Sequence, residues 1–371
     1  MIGRITHVID SLAIGGAQKL LVTFAHEAQR RSLRCEVICL SSPSGSAVEA
    51  ELAAAGVTLT YFPARRLLDL GRLRRLAQYF RQSKPDVIQT HLTYANIVGG
   101  LAGYGAGIPV AATLHSAGND RRYSRVRAIL ESWVLRWLDR VVIAVGGQTE
   151  QAHRRRLGNQ TMRVVYNAVE EPAGMTESER QAIRGQWLKD PESVILISAG
   201  RFSTVKAYDD LIRAFAIVHA ANPHTLLLLA GDGVMRADWE ELAIELEVSR
   251  AVVFLGRRND VPRLLRASDL YASSSVVEGT PLSVMEAMAA GLPVVATDVG
   301  DLHTLLNSEC GVLVPPREPE RLAAEITRLA ADRPGRQRMG ERARDFAASH
   351  FGCAAWFQEL LAIYTEMQET R

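Results

Sequence analysis

Short apolar runs rich in β-branched residues alternate along this chain with segments of helical periodicity. R-I-T-H-V-I-D (4–10), R-C-E-V-I-C-L (34–40), V-T-L-T-Y-F (57–62), P-D-V-I-Q-T-H-L (85–92), P-V-A-A-T-L-H-S (109–116), R-V-V-I-A-V (140–145) and R-V-V-Y-N-A-V (163–169) read as strands. The helical segments between them are the pattern of an α/β protein, a parallel sheet with helices on both faces. Residues 170–192 are polar and contain Pro172, Gly174 and Pro191, so the linker belongs at their start. A second set of runs follows: S-V-I-L-I-S-A-G-R (193–201), H-T-L-L-L-L-A-G-D-G (224–233), A-V-V-F-L-G (251–256), D-L-Y-A-S-S-S (269–275), P-V-V-A-T-D (293–298) and G-V-L-V (311–314). The chain is long enough for the two domains this predicts, residues 1–174 and 175–352. A last helix over 353–368 aligns Trp356, Phe357, Leu360, Leu361 and Tyr364 on a face that must be buried.

The most informative stretch is E-G-T-P-L-S-V-M-E-A-M-A-A-G-L-P-V-V-A-T (278–297). Thr280 is a natural N-cap and Pro281 a natural first helical residue. The free N–H groups of Leu282, Ser283 and Val284 then suit an anion such as a phosphate. Glu286 lies about 7.5 Å along the axis from Pro281, at ~1.5 Å per residue, among Val284, Met285, Ala287 and Met288. A carboxylate in that company needs a partner, an arginine in the core or a pair of sugar hydroxyls. Upstream, G-R-F-S-T-V-K (200–206) ends a strand with Arg201 and sets Lys206 just before a helix. Either cation alone is an ordinary surface charge; together they suit a diphosphate. Gly15 and Gly16 stand at the first strand-to-helix turn, where backbone can approach a ligand closely. They lack the G-x-G-x-x-G spacing of a dinucleotide fingerprint, and an ordinary tight turn has the same pattern. His91 and His115 end successive strands, on the side where open α/β sheets bind ligands, with Asn96 in the helix after the first.

Composition narrows the classes. A hydrophobic content of 47% and a charged content of 23% are those of a globular protein, and no apolar run reaches the ~18 residues of a membrane span. The opening M-I-G-R-I-T-H-V-I-D reads as a first strand rather than a secretory leader. Cys35, Cys39, Cys310 and Cys353 show no metal-ligand spacing and read as reduced core thiols of a cytoplasmic protein. Net charge is +2, but residues 1–174 hold 22 Lys and Arg against 13 Asp and Glu, and the remainder 21 against 28. Arginines gather within 64–84, again at Arg121, Arg122, Arg125 and Arg127, and at Arg154, Arg155 and Arg156. The first cluster, Arg65, Arg66, Arg72, Arg74, Arg75 and Arg81 with Lys84, flanks a helical stripe of Leu70, Leu73, Leu76, Ala77 and Phe80. Such a stripe fits a surface helix packed on the sheet, or an interfacial helix drawn to anionic lipid.

The landmarks follow one another in a recognisable order: the Gly-Gly turn, a histidine at a mid-domain strand end, Y-N-A-V (166–169), G-R…K, A-G-D-G (230–233), F-L-G (254–256), Glu278 and Glu286 as E-x7-E, and G-L-P-V-V-A-T (291–297). Over essentially the whole chain this order resembles family 4 (group 1) of the retaining glycosyltransferases. The resemblance implies the GT-B fold, two Rossmann-like domains facing across a cleft, with the helix in 353–371 crossing back to the first. It implies a nucleotide-sugar donor, read as a UDP-sugar, held mainly by 175–352. A saccharide or lipid-linked acceptor would be held mainly by 1–174, in polysaccharide or glycoconjugate synthesis. By the family's pattern Arg201 and Lys206 pair with the donor diphosphate, and Glu278 and His115 complete the catalytic set. Glu286 accepts from the ribose hydroxyls, and Glu278 binds hydroxyls of the transferred sugar, helped by the backbone of Gly279, Thr280, Pro281 and Leu282. Phe254, Leu255 and Gly256 resemble the edge that holds the base, His115 the sugar-contacting histidine, and Gly15 and Gly16 the turn approaching the diphosphate. Asp232 and Arg236 lie near this set. Members of the family have no obvious carboxylate nucleophile, which implies reaction on one face with the leaving phosphate assisting the acceptor hydroxyl. No cofactor and no metal are expected, because the two cations stand in for Mg²⁺ and there is no persuasive D-x-D. An anionic membrane surface, met through the basic first domain at the inner face of the membrane, is a further expected partner; nucleic acid is not.

Two departures from the family's pattern stand out. Ala207 follows Lys206 where the family commonly has Gly, and D-V-G-D-L-H-T (298–304) replaces a Gly-Gly followed by Glu. A nucleotide-sugar epimerase of the same fold is the alternative enzyme, and a non-catalytic sugar-binding module a third reading. An NAD-linked dehydrogenase is disfavoured by the missing dinucleotide fingerprint.

Overall fold

The computed structural model describes residues 2–13, 15–64, 66–116, 125–188, 190 and 192–369. It divides into two compact units, Met1–Ala168 with Cys353–Arg371, and Val169–Gly352. The division falls between Ala168 and Val169, somewhat before the 174 read from the linker's composition.

Each run read as a strand forms one. The first unit holds β1 (Arg4–Ile9), β2 (Arg34–Cys39), β3 (Thr58–Tyr61), β4 (Val87–His91), β5 (Val110–Leu114), β6 (Val141–Ala144) and β7 (Met162–Val164). They form one parallel sheet in the order β3-β2-β1-β4-β5-β6-β7. Every residue of β4, β5 and β6 is buried, as parallel strands covered on both faces must be. The second unit holds β8 (Val194–Ala199), β9 (Thr225–Ala230), β10 (Val252–Gly256), β11 (Leu270–Ser273), β12 (Val294–Thr297) and β13 (Gly311–Val314). Their order, β10-β9-β8-β11-β12-β13, repeats the same scheme. In each sheet the winding reverses once, between β1 and β4 and between β8 and β11. At such a reversal the loops leaving the two central strands diverge and open a crevice at their carboxyl ends.

The helix Cys353–Glu369 supplies part of the first unit's core. Its Phe357, Leu360, Ile363, Tyr364 and Met367 pack with Ile5, Phe24, Val87 and Ile143. Tyr364 donates to Gln89 Oε1, and Gln368 Nε2 to the Asp86 carbonyl at 3.1 Å. The apolar face read along this helix is therefore buried, as the returning helix requires.

Two expectations need correction. The stripe of Leu70, Leu73, Leu76, Ala77 and Phe80 does lie on one helix, Leu70–Ser83, which Asp69 caps by accepting from Arg72 N at 2.8 Å, but not all of it is buried. Leu76, Ala77 and Phe80 are buried beneath it, whereas Leu70 is 68% exposed. This is a surface helix packed on the sheet, and Arg65 lies outside the described residues. All four cysteines are free thiols, but only Cys39 and Cys310 are buried. Cys35 enters β2 near its open end and Cys353 begins a helix, so both are half-buried. Among the described residues no helix is long and apolar enough to cross a membrane.

Phe357→Ala removes a fully buried ring from this core and should cost about 3–5 kcal/mol. Chemical denaturation should place the loss in the first unit's transition and leave the second unit's midpoint unchanged.

Candidate active site

The loops leaving β8 and β11, the two strands at the reversal in the second unit, meet each other. Lys206 Nζ lies 2.6 Å from Glu278 Oε1, and Ser275 Oγ donates to the same oxygen at 2.6 Å. Ser274 Oγ ties the loops further by donating to the carbonyls of Lys206 (3.0 Å) and Ala207 (2.8 Å). Val276 N donates to the Val205 carbonyl at 2.9 Å. The side chains of Lys206 and Glu278 are only 17% and 13% exposed. Burial would lower the pKa of the Lys206 ammonium, but the charges of Glu278 and, further off, Glu286 outweigh it and raise it. Lys206 is thus held as a cation with two carboxylates in electrostatic reach. Glu286 is half-buried on the helix Leu282–Ala289, whose Val284, Met285, Ala287 and Met288 are buried. Arg201 is exposed and follows Gly200, where a Cβ would come within 2.9 Å of Lys206 Cε.

The start of that helix differs from the sequence reading. Pro281 is still extended (ψ 97°) and precedes the first helical residue, Leu282. Thr280 does not cap it, because its hydroxyl turns to Asp301 Oδ2 at 3.5 Å. Val284 N donates to the Pro281 carbonyl at 3.1 Å, so it is not one of the free donors. Asp301 is itself buried, and its N–H donates to the Gly279 carbonyl at 3.1 Å. Gly300 has φ +61°, and a Cβ there would lie 2.6 Å from the carbonyl oxygens of Glu278 and Gly279. The unusual D-V-G-D segment therefore braces the turn that carries Glu278 and Gly279.

Two other motifs support the loop from β8. In A-G-D-G, Gly231 has φ +143°, and a Cβ there would sit 1.8 Å from the Gly200 carbonyl oxygen, so only glycine lets the two loops touch. Asp232 accepts from Phe202 N through its carbonyl at 3.0 Å. The edge strand β10 shifts register between Phe254 and Gly256, which leaves Leu255 outside the ladder. Arg236 Nη2 donates to the Phe254 carbonyl at 3.4 Å while its Nε holds Glu240 at 2.7 Å.

The remaining sequence-derived residues belong to the first unit. Gly15 is extended and precedes the helix Gly16–Arg30; a Cβ on it would meet Gln18 Oε1 at 2.5 Å. At the reversal, Asp10 after β1 accepts from Tyr94 N (3.3 Å) and Ala95 N (2.6 Å) at the start of the helix Thr93–Ala106. Burial raises the Asp10 pKa to about 7, even though these two hydrogen bonds pull the other way. His115 stands beyond β5 and joins a chain of imidazoles. His115 Nε2 is 3.1 Å from His91 Nδ1, and His91 Nε2 is 3.0 Å from His7 Nδ1. Burial lowers His7 to about 3 and His115 to about 4; burial and then its two neighbours hold His91 well below the usual range. All three are uncharged at neutral pH. His7 was missed from sequence because it lies inside β1, where its only signal is a polar residue in an apolar run. Of the basic clusters, Arg154 pairs with Glu150 and Arg156 with Glu131 at 3.0 Å, while Arg121 and Arg122 lie outside the described residues.

Known proteins match this chain in sequence and in fold. The model of the family described as Glycosyltransferase Family 4 matches residues 14–171, and that of Glycosyl transferases group 1 matches residues 179–346. The D-inositol 3-phosphate glycosyltransferases of Salinispora arenicola and Salinispora tropica are each 32% identical over 76% of this chain. The match spans 68% and 64% of their own lengths. This chain belongs to family 4 of the group 1 glycosyltransferases. The N-acetyl-alpha-D-glucosaminyl L-malate synthase of Bacillus anthracis is 26% identical to the glycosyltransferase over 81% of this chain and 79% of its own. In structure, the glycosyltransferase superimposes on Anabaena HepE, crystallised with UDP-glucose, with a TM-score of 0.86 over 98% of this chain and all of that one, at 23% identity. The fold is GT-B, as the landmarks implied.

The departure at Ala207 carries a backbone cost. This residue is fully buried with φ 46° and ψ 46°, the left-handed conformation that glycine adopts without penalty. Ala207→Gly should therefore change stability by less than about 1 kcal/mol, lost methyl burial being offset by relief of strain. Ala272→Gly, the same deletion in a buried strand, should cost more in a parallel urea titration.

Proposed function

We propose that the glycosyltransferase moves a sugar from a UDP-sugar to a saccharide or lipid-linked acceptor with retention at the anomeric carbon. The observation that carries this reading is the Lys206–Glu278 pair at the strand reversal, with Glu286 in reach of the same ammonium. Held together, the two charges avoid the penalty each would bear alone in a shielded site. When a diphosphate arrives, Lys206 has N–H groups to share with it, and Glu278 becomes able to accept from hydroxyls of the transferred sugar. Arg201 adds the second cation, and Glu286 accepts from the ribose. The N–H groups of Leu282 and Ser283, beside Gly279 and Thr280, face the donor at a helix start, and the bulge at Phe254 and Leu255 receives the base. In the first unit, His115 and the turn at Gly15 and Gly16 are the family-pattern residues assigned to ligand contact.

In the reaction, the bond from the anomeric carbon to the UDP oxygen breaks as the acceptor oxygen bonds to the same face. The acceptor proton passes to the departing phosphate, giving UDP and the new glycoside. Arg201 and Lys206 stabilise the charge that develops on the leaving group, so no carboxylate nucleophile is assigned. Support for a uridine donor comes from the related fold of Anabaena HepE, crystallised with UDP and with UDP-glucose. Relatives named for inositol phosphate and for malate as partners indicate that acceptor choice varies on this scaffold.

A thermal-shift panel of UDP-, GDP- and ADP-glucose should show the largest rise in Tm with the UDP-sugar, by mass action. With the matching acceptor, Lys206→Ala should lower transfer by about 10²–10³-fold, and Glu286→Ala should weaken donor binding. Unchanged rates and affinities in both folded variants would overturn the assignment. Conversion of the donor to its epimer without acceptor would favour the epimerase, and donor binding without UDP release the binding module.

A peripheral place at an anionic membrane surface, at its cytoplasmic side, also belongs to this reading. Its support lies on the helix Arg125–Trp137 rather than on the helix Leu70–Ser83. Val134 and Leu135 face the core, while Val126, Ile129, Trp133 and Trp137 form an outward stripe at helical spacing, each 49–73% exposed. Exposed Arg125 precedes it on the same helix, and exposed Arg136 lies 5.2 Å over the Trp137 ring. Paired tryptophans with arginines at their margin suit the headgroup layer of a bilayer. Vesicle flotation should show binding to phosphatidylglycerol that weakens with salt and is lost in Trp133→Ser/Trp137→Ser; binding indifferent to both would exclude this surface.

A further inference from the structure

His7, His91 and His115 form an unbranched hydrogen-bonded chain from the interior of β1 to the ligand-facing end of β5. Two neutral imidazoles can share a hydrogen bond only if one nitrogen carries the proton and the other is bare. In a chain of three, therefore, every bond must run in the same direction. Either each ring donates from Nδ1 outward, or each donates from Nε2 inward. The choice is made at the inner end. His7 is 1% exposed, packs edge-on against Phe24 at 4.4 Å, and its Nε2 has no protein hydrogen-bond partner. The cavity beside it, about 20 Å³, is walled mainly by apolar side chains such as Leu20, Phe24 and Trp356, with Gln89, Thr113 and Asn167 also lining it. Inward donation would strand an N–H at this site, whereas outward donation leaves only a bare nitrogen. Orphaned N–H groups are the rarer and costlier of the two in protein interiors.

We propose that His7 and His91 are positioning residues that lock His115 in the Nδ1–H tautomer, so that it meets its ligand as a hydrogen-bond donor and not as a base. His115 Nε2 is occupied as the acceptor of the His91 Nδ1–H, and the proton on Nδ1 is the one left for a ligand oxygen. Burial of the whole chain keeps a second proton off, so the donor is neutral and does not exchange roles with an imidazolium. The identity of that ligand rests on the reading of His115 as a sugar contact; the tautomer does not.

The test is the nitrogen-15 NMR spectrum of ligand-free protein at pH 7. In the wild-type chain His115 should show a protonated Nδ1 and a bare Nε2, with His91 and His7 in the same state. His91→Leu cuts the chain and should return His115 toward the Nε2–H form that free histidine prefers. His91→Gln should restore the wild-type signature, since its amide can accept from His7 Nδ1 and donate to His115 Nε2. A purely packing role for His91 would not separate Leu from Gln in this way. Nε2–H or an imidazolium at His115 in the wild type, or no change in His91→Leu, would overturn the proposal. Should His91→Leu fail to fold, the wild-type spectrum alone decides. Failure of every UDP-sugar to bind would count against the function proposed above and leave this result standing.

Discussion

An ammonium and a carboxylate 2.6 Å apart, both largely shielded from water, tie the two loops at the centre of the second unit. Shielded charges are tolerated only in company, and here the company is arranged in layers. Ser275 adds a hydrogen bond to the carboxylate, Ser274 fixes the backbone under the lysine, and Asp301 with Gly300 backs the turn holding Glu278. Much of the local sequence is explained by this one contact. Gly231 is needed because the A-G-D-G loop presses on the strand end just before Arg201 and Lys206. Ala207 accepts a left-handed backbone so that the chain can turn directly from the lysine into the next helix.

Both units solve the same topological problem. In each, the sheet grows to one side from its first strand and then returns to build the other side, so the loops after the first and fourth strands part at the centre. The second unit fills that gap with a charged pair. The first fills it with a buried hydrogen-bonded network: Asp10 on the amides that start the helix Thr93–Ala106, and His91 between His7 and His115. The contrast is physical as well as chemical. Burial leaves Lys206 charged because carboxylates answer it, but leaves the histidines neutral because no acid does. The scaffold is thus one design used twice, and the chemistry comes from which side chains occupy the two central loops.

Residue identity and periodicity carried a good deal. Alternation of β-branched runs with helical segments located every strand, since buried parallel strands read as continuous apolar runs whatever their neighbours. The basic residues of G-R…K, the two glutamates of E-x7-E and the apolar face of the last helix were visible for the same reason: each is a property of a few consecutive residues. What went astray depended on competition between distant groups. Thr280 has the chemistry of a helix cap, but Asp301 lies closer to its hydroxyl in the fold and takes it. The apolar residues of Arg125–Trp137 cover two faces of that helix, and nothing local says which face the core will take.

The chain's own order of residues settled the α/β class, the places of the strands and the kinds of chemistry on offer, because these follow from short-range pattern and side-chain type. The partnerships needed folding. Lys206 and Glu278 stand 72 residues apart, and His7 and His91 stand 84 apart, so their meeting depends on which strands lie side by side at the centre of each sheet. Strand order is a long-range outcome of packing, and it brings separate cations, acids and histidines together into an ion pair and a hydrogen-bonded chain.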